Sequence, residues 1–346
     1  MSAPPTTLAA WLAHLENAHP RKIDLGLDRV RTVLRALAPG VGGVPVVTVA
    51  GTNGKGSTVA VLDAIYRAAG YRTGAYTSPH LLAYNERIRV AGVPVTDADI
   101  VAAFARIEAA RGPVSLSYFE FGTLAALECF ARARCEVLIL EVGLGGRLDA
   151  VNAVDADLAI LTSIDLDHCE FLGPDRESIG HEKAGVMRAG RPALCNDPHV
   201  PASVWAHARA IGAQLECLGP DYRATTGPDP AAWRYQDAGG ALDLPVPALP
   251  GAAQLRNAAG AVRAVRRLSG RVPVDAKAIA TGLRAVRLPG RFDRRGHAPQ
   301  WVLDVGHNPH AGRTLAQNLT DHPVPGATHA VLAMLADKDA AGFVAP

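Results

Sequence analysis

The sequence predicts an α/β fold: a mostly parallel sheet flanked by helices, followed by a second, incomplete α/β unit. Three observations carry this. Short β-branched apolar runs (46–49, VLILEV at 137–142, LAILTSI at 158–164) alternate with stretches of helical periodicity. The chain is 49% hydrophobic but only 5% aromatic, which suits aliphatic cores. A glycine-rich turn joins the first apolar run to the first long helix.

Element by element, Leu8–Leu15 is a short helix, and 27–37 is another with apolar residues at 27, 30, 33, 34 and 37. Residues 46–49 form a buried strand, 57–69 a helix stopped by Gly70, and 72–77 the next strand. Residues 96–110 begin polar and continue helical; 121–133 is an apolar helix. Strands follow at 137–142, 158–164 and 193–196. Proline and glycine are frequent across 219–251, which reads as loops with at most a short hairpin, still within the first domain. Residues 252–268 return to helix, 288–296 (LPGRFDRRG) reads as a linker, and 301–305 and 329–335 read as strands. The boundary falls between 1–290 and 291–346, and the second unit reads as cut short.

Composition narrows the function. A net charge of +2 with scattered arginines gives no reason to expect a nucleic-acid partner. Five cysteines without a C-x-x-C pair argue against a disulfide framework or structural zinc and suit a reducing cytoplasm. The N-terminus lacks a signal peptide's basic and apolar regions, and no stretch approaches a membrane span.

Residues 46–58 read VVTVAGTNGKGST, the layout of a P-loop-type phosphate cradle. Glycines let backbone N–H groups approach phosphate oxygens, and a helix N-terminus adds a favourable dipole. Lys55 would reach the outer phosphates, and a hydroxyl beside it could touch Mg²⁺. The general G-x-x-x-x-G-K-[ST] pattern has glycine and hydroxyl where this chain has Val49 and Gly56. A tight surface turn is the competing reading.

Open parallel sheets bind ligands beyond the carboxyl ends of their strands. Several predicted strands end there in polar residues: AGTNGKGS, then Thr77-Ser78-Pro79-His80, then Glu141 and GLGGRLD, then Asp165, Asp167 and His168. Ser78, Glu141 and His168 could hold a divalent cation, the oxygens suiting Mg²⁺ and the histidine Mn²⁺ or Zn²⁺. Ser78 before a proline is also ordinary turn chemistry, and His168 also reads as a loop histidine. Glu141, inside an apolar strand, must be paired or functional. Lys183 in HEKAGVM reads as a solvated helix lysine, Asp149 as a loop cap or substrate contact, and Asn257 as a cap, an exposed amide or a ligand contact. Asp304 and His307 follow a strand of the second unit, so facing strand ends would close a cleft.

Taken together, GTNGKGS (51–57), TSPHL (77–81), YFEFGT (118–123), EVGLGGRLDA (141–150), TSIDLDH (162–168), EKAG (182–185), PGRF (289–292) and DVGHNPHA (304–311) resemble folylpolyglutamate synthase/dihydrofolate synthase, a family of ATP-dependent amide-forming ligases in the Mur ligase superfamily. The resemblance runs from about residue 8 to about residue 338. It implies a Mur-type central domain and places Gly56 as the superfamily's own loop variant.

What the resemblance implies is specific. Thr52, Asn53, Gly54, Lys55, Gly56 and Ser57 would hold ATP phosphates. Ser78, Glu141 and His168 would ligate Mg²⁺, and Lys183, carbamylated, would help bind a second Mg²⁺, reversing its solvated reading. Asn257, Arg291, Asp304 and His307 would contact ATP across the cleft. Asp24, Leu25, Gly26 and Leu27, then Ser117, Tyr118, Phe119 and Glu120, then Leu148, Asp149 and Ala150 would bind the pteroate. Lys55, Glu141, His168 and Lys183 form the expected catalytic set. The substrates would be dihydropteroate, folates and L-glutamate, joined through an acyl phosphate by a cytoplasmic enzyme, a monomer by family analogy, with no nucleic-acid or membrane partner. The resemblance also implies a longer C-terminal domain, so this chain is expected to turn over weakly or not at all. Another Mur-type amide ligase and a non-catalytic nucleotide-binding remnant are the alternatives; YFEF and RLDA argue against the former.

Overall fold

The computed structural model describes residues 4–297, 299–336 and 338–346. Its main sheet contains β1 (Val46–Ala50), β2 (Thr73–Tyr76), β3 (Ile88–Val90), β4 (Val93–Pro94), β5 (Val137–Glu141), β6 (Leu158–Leu161), β7 (Pro192–Cys195) and β8 (Gln214–Cys217). Their lateral order is β4-β3-β2-β5-β1-β6-β7-β8. β3 and β4 run antiparallel at one edge, and the other strands are parallel.

A parallel strand covered on both faces needs apolar residues throughout. All five residues of β1 (VVTVA) and of β5 (VLILE) are buried. Alternate side chains feed opposite layers. Val47, Val49 and Ile139 face the Lys55–Ala68, Ala252–Arg267 and Ala276–Ala285 helices. Val46, Leu138 and Leu140 face a second layer with the Leu8–Leu15, Asp28–Leu37, Asp97–Arg111 and Tyr118–Arg132 helices. A third cluster covers β6 and β7 with the Arg176–Ala184 and Ala202–Ile211 helices.

Local chemistry sets the helix starts. Thr96 and Ser117 cap their helices through capping boxes with Asp99 and Glu120. The Lys55–Ala68 helix differs: its N-cap is Gly54, which supplies no side chain, so the first-turn N–H groups stay open to a ligand.

That same helix packs closely on the Ala276–Ala285 helix. A Cβ on Gly282 would lie 2.5 Å from Ile65 Cα and 2.6 Å from Ile65 N, a backbone contact that cannot yield. Gly282→Ala should therefore destabilise by about 1–3 kcal/mol through overpacking, despite alanine's better helix propensity. A fall in the urea midpoint checks this; an unchanged or higher midpoint would refute it.

Four expectations need correction. Residues 219–251 hold more than loops and a short hairpin: β10 (Ala232–Asp237) and β11 (Gly240–Pro245) form the hairpin, and β9 (Tyr222–Thr226) extends it to a three-stranded antiparallel sheet. Trp233, Tyr235 and Asp237 alternate inward, and the two aromatics join the main core. The 288–296 linker contributes a strand, β12 (Asp293–Arg295), paired antiparallel with β13 (Trp301–Leu303). Residues 329–335 form no strand and find no sheet partner; Val331 is 97% exposed. The third main-sheet run ends at Leu161, because 162–165 turn away to meet the glycine loop. The second unit thus contains an antiparallel hairpin and the Pro309–Asp321 and Ala340–Val344 helices among the described residues.

Candidate functional site

The carboxyl ends of β1, β2, β5 and β6 open into a cleft of about 480 Å³, closed on its far side by residues of the second unit. Every residue expected at phosphate, metal and ATP lines it: Thr52 to Ser57, Ser78, Glu141, His168, Lys183, Asn257, Arg291, Asp304 and His307.

The glycine loop is fastened to the end of β6. Thr52 N donates to Ser163 O (2.6 Å), and Thr52 Oγ1 donates to Asp165 O (2.9 Å). Asn53 O accepts from Thr162 Oγ1 (2.7 Å) and Ser163 Oγ (3.0 Å). Gly54 sits at φ +88°, and a Cβ there would stand 2.7 Å from Asn257 Oδ1. Glycine is thus required by both conformation and space. A Cβ on Gly51 would collide with Thr162 Oγ1.

Lys55 is half-buried in the cleft wall and donates to Gly51 O (2.9 Å) and Thr52 O (3.1 Å). Burial pulls its ammonium below the usual lysine range, against the attraction of Glu141 and Asp167. Burial pushes the Glu141 carboxyl up, and Lys55, the Ser78 N–H and Arg291 oppose it. Glu141 Oε2 accepts from Ser78 N at 3.1 Å. Among the described residues no cation lies within ion-pair distance of Glu141, and Ser57 Oγ, 1% exposed, has no hydrogen-bond partner. Asn196 Nδ2 is a second buried donor in this cleft without a partner, its Oδ1 being held by Tyr222 Oη (2.5 Å).

Lys183 corrects the solvated reading. It is 4% exposed, and no hydrogen bond or ion pair holds its ammonium among the described residues. The loop after β5 lies over its helix: Arg147 N donates to Glu182 O (2.8 Å), and Arg147 pairs with Glu182 (2.7 Å). Burial, with Lys55 nearby, brings the Lys183 amine down to about 7. Burial also lowers His168, which Asp167 opposes.

A divalent cation fits this donor set only with help. Among the described residues no three His, Cys, Asp or Glu side chains gather as a metal cage. Glu141 and His168, with hydroxyls of Ser57 and Ser78, offer a partial shell, and phosphate oxygens would complete it. The orphaned Ser57 hydroxyl is the atom that such a cation or a phosphate would satisfy.

The segments expected at the pteroate come together beside the cleft but do not line it. Gly26 N donates to Leu148 O at 3.1 Å. Asp24 is held by His19 (3.0 Å) and Arg29 (3.0 Å), and Arg29 also pairs with Glu120 (3.2 Å). Leu25 and Leu27 are half-buried here. Ser117 caps the helix carrying Tyr118, Phe119 and Glu120, and Phe119 lies over Gly143 and stacks near Tyr76. Asp149 is a loop cap, accepting from Leu144 N (2.9 Å) and Val151 N (3.0 Å), with Ala150 buried behind it.

Sequence reasoning passed over the second unit's polar contacts. Asn308 meets Asn53 and Asp167, Arg313 meets Asp165 (2.9 Å), and Lys338 meets Asp167 (3.0 Å). The Asn-Pro pair at 308–309 signalled a helix cap, and nothing in its sequence signalled the partner.

Residues 49–197 match the Mur ligase middle domain. The dihydrofolate synthase/folylpolyglutamate synthase of Escherichia coli K12 is 48% identical over 340 residues, covering 98% of this chain and 78% of that protein. The Mycobacterium tuberculosis protein of the same name is 33% identical, covering 94% and 72%. The E. coli FolC structure in complex with DHPP and ADP superposes with a TM-score of 0.94 at 47% identity, covering 98% of this chain and 80% of that one. A bifunctional folylpolyglutamate synthase/dihydrofolate synthase structure with Mn, AMPPNP and L-glutamate bound gives 0.91 at 47% identity, with the same coverage.

Proposed function

Because this chain belongs to the dihydrofolate synthase/folylpolyglutamate synthase family, we propose that its cleft joins L-glutamate to dihydropteroate and to folates at the expense of ATP. The observation that carries the reading is the phosphate cradle itself: a helix start open at Gly54, a half-buried Lys55 and an unpartnered Ser57 hydroxyl, facing Glu141 across one cleft.

A carboxylate is a poor acylating agent because its leaving group is oxide. Phosphorylation of the pterin's carboxylate by ATP gives an acyl phosphate; the glutamate amine attacks its carbonyl, and phosphate leaves. No covalent protein nucleophile is required, so the protein's work is positioning and charge neutralisation.

The N–H groups of 54–57 and the Lys55 ammonium would surround the β- and γ-phosphates, with Thr52 and Asn53 holding the loop in place from Ser163. Asn257, Arg291, Asp304 and His307 would hold the nucleotide from the far wall, which Asp304 stiffens by accepting from Phe292 N and Gly306 N, each at 2.8 Å. Ser57, Ser78, Glu141 and His168 would hold a divalent cation, and Lys183, carbamylated, would contribute to a second. When bound, these cations supply charge neutralisation at the phosphates. A neutral amine is the form that takes up CO₂, and the enclosed, unpaired Lys183 favours neutrality. The patch at 24–27, 117–120 and 148–150 would receive the pteroate. Residues 1–290 act as the ATP-binding unit and 291–346 as the closing wall, in a monomer handling small molecules in the cytoplasm. No helix of the described residues is long and apolar enough to cross a membrane.

ADP release, measured with ATP, Mg²⁺, glutamate and either dihydropteroate or tetrahydrofolate, tests this. Release is expected to require both a pterin and glutamate. Release indifferent to the pterin would overturn the reading, and bound ATP without release would mark a nucleotide-binding remnant.

A further inference from the structure

We propose that Asn308 is a positioning residue for the ligase reaction, setting the phosphate loop from the second unit through a reciprocal amide pair with Asn53. The inference rests on the functional reading above.

Asn308 is 3% exposed and caps the Pro309–Asp321 helix, Oδ1 accepting from Ala311 N at 2.9 Å. A cap needs only that one acceptor, which Ser, Thr or Asp also provide. Asn308 makes three further bonds. Oδ1 also accepts from Asn53 Nδ2 (2.9 Å), while Nδ2 donates to Asn53 Oδ1 (3.1 Å) and to Asp167 Oδ2 (3.1 Å). The Ala311 N–H can only donate, which fixes the amide's orientation, and its hydrogen-bonding capacity is then fully used. Aspartate would keep the cap but set a carboxylate oxygen against Asn53 Oδ1 and Asp167. The amide is therefore specific to the cross-cleft pair.

Asn53 is the place where such a hold matters. Its backbone is bonded to Thr162 and Ser163, so its side chain is the handle that the second unit holds, through Asn308 and through His310 Nδ1 (2.8 Å). Gly54, the next residue, begins the phosphate-facing helix. Asp167 adjoins His168 in sequence, so one amide touches both the loop and the segment bearing the expected metal ligand. A misplacement of about 1 Å at a reacting group costs up to about 10²-fold in rate.

The test uses the full chain with Asn308→Ser and Asn308→Asp, which both retain a capping oxygen. ADP release with glutamate and dihydropteroate is measured against ATP and pterin concentration, and AMPPNP affinity by calorimetry. Asn308→Ser is expected to lower kcat about 10- to 100-fold with the dihydropteroate KM unchanged and the melting transition retained, and Asn308→Asp to lower it further. Asn53→Ala combined with Asn308→Ser should lose clearly less than the product of the two single losses, because both break the shared pair while each also removes one bond of its own, to His310 or to Asp167. Wild-type kcat in Asn308→Ser, multiplicative losses in the double variant, or loss of the melting transition in both cap-retaining variants would overturn the proposal. If the wild-type chain released no pterin-dependent ADP, the functional reading would fall, and the pair would be judged on AMPPNP affinity: non-additive losses support it, additive losses refute it.

Discussion

Lys55→Ala is expected to cut pterin-dependent ADP release by about 10³-fold or more, with the fold little changed. The ammonium sits in the cradle wall, half-buried and held for now by the carbonyls of Gly51 and Thr52. Those are weak reasons to bury a cation, since burial alone pulls its pKa down and Glu141 restores only part of that loss. The charge makes sense when phosphates enter, because it is then desolvated beside anions at no further cost of reorganisation. Removing it leaves two carbonyl oxygens short of one donor, a loss of about 1 kcal/mol offset by relief of desolvation. The unfolding free energy from urea titration should therefore stay within about 1 kcal/mol of wild type while single-turnover ADP formation collapses. Lys55→Arg should not restore the rate, because a planar fork presents its charge and donors in a different geometry from a compact ammonium. A Lys55→Ala protein within tenfold of wild-type kcat would dismiss the role.

How far the sequence reached depended on whether a residue's partner lay nearby in the chain. VVTVA and VLILE have no polar position to spend on solvent, so their place in the sheet centre was legible, and with it the polar strand ends. Glu141 stood out because a carboxylate among such neighbours cannot be casual. AWRYQD carried a period of two, with Trp233, Tyr235 and Asp237 inward, but the Pro and Gly around it hid that signal. Residues 329–335 have strand-like composition, yet composition supplies no pairing partner, and β13 pairs with β12 instead. Asp149 stood between two readings until its bonds to Leu144 and Val151 appeared. Asn308 looked like any residue before a helix-starting proline. Its pairing with Asn53 spans 255 positions and leaves no local trace.

Lys183 shows the same limit from the other side, and Lys183→Met should make the protein more stable and far less active. The RESIGHEKA helix is polar enough to read as solvated; the Gly145–Gly146 turn, pressed against the backbone of Glu182 and Lys183, is what encloses it. The folded amine titrates at about 7, against 10.5 for a free lysine. Between those values the unfolded chain binds more protons than the folded one, so wild-type stability rises with pH across that window. Below about pH 7 both states are protonated and the folded protein carries the whole penalty of the buried charge, on the order of 5 kcal/mol. Methionine, similar in length and uncharged, removes the penalty. In CO₂-free buffer the variant should melt above wild type at pH 6.5, and the gap should close toward pH 10. Activity should fall by about 10²-fold or more at every pH, because no carbamate forms on a thioether and the second cation would lose that anionic ligand. A buried, unpaired lysine that lowers stability is retained only where it serves the chemistry. A variant less stable at pH 6.5, or a gap that stays constant to pH 10, would show that the amine is paired or solvated in solution and would remove the physical case for its carbamylation.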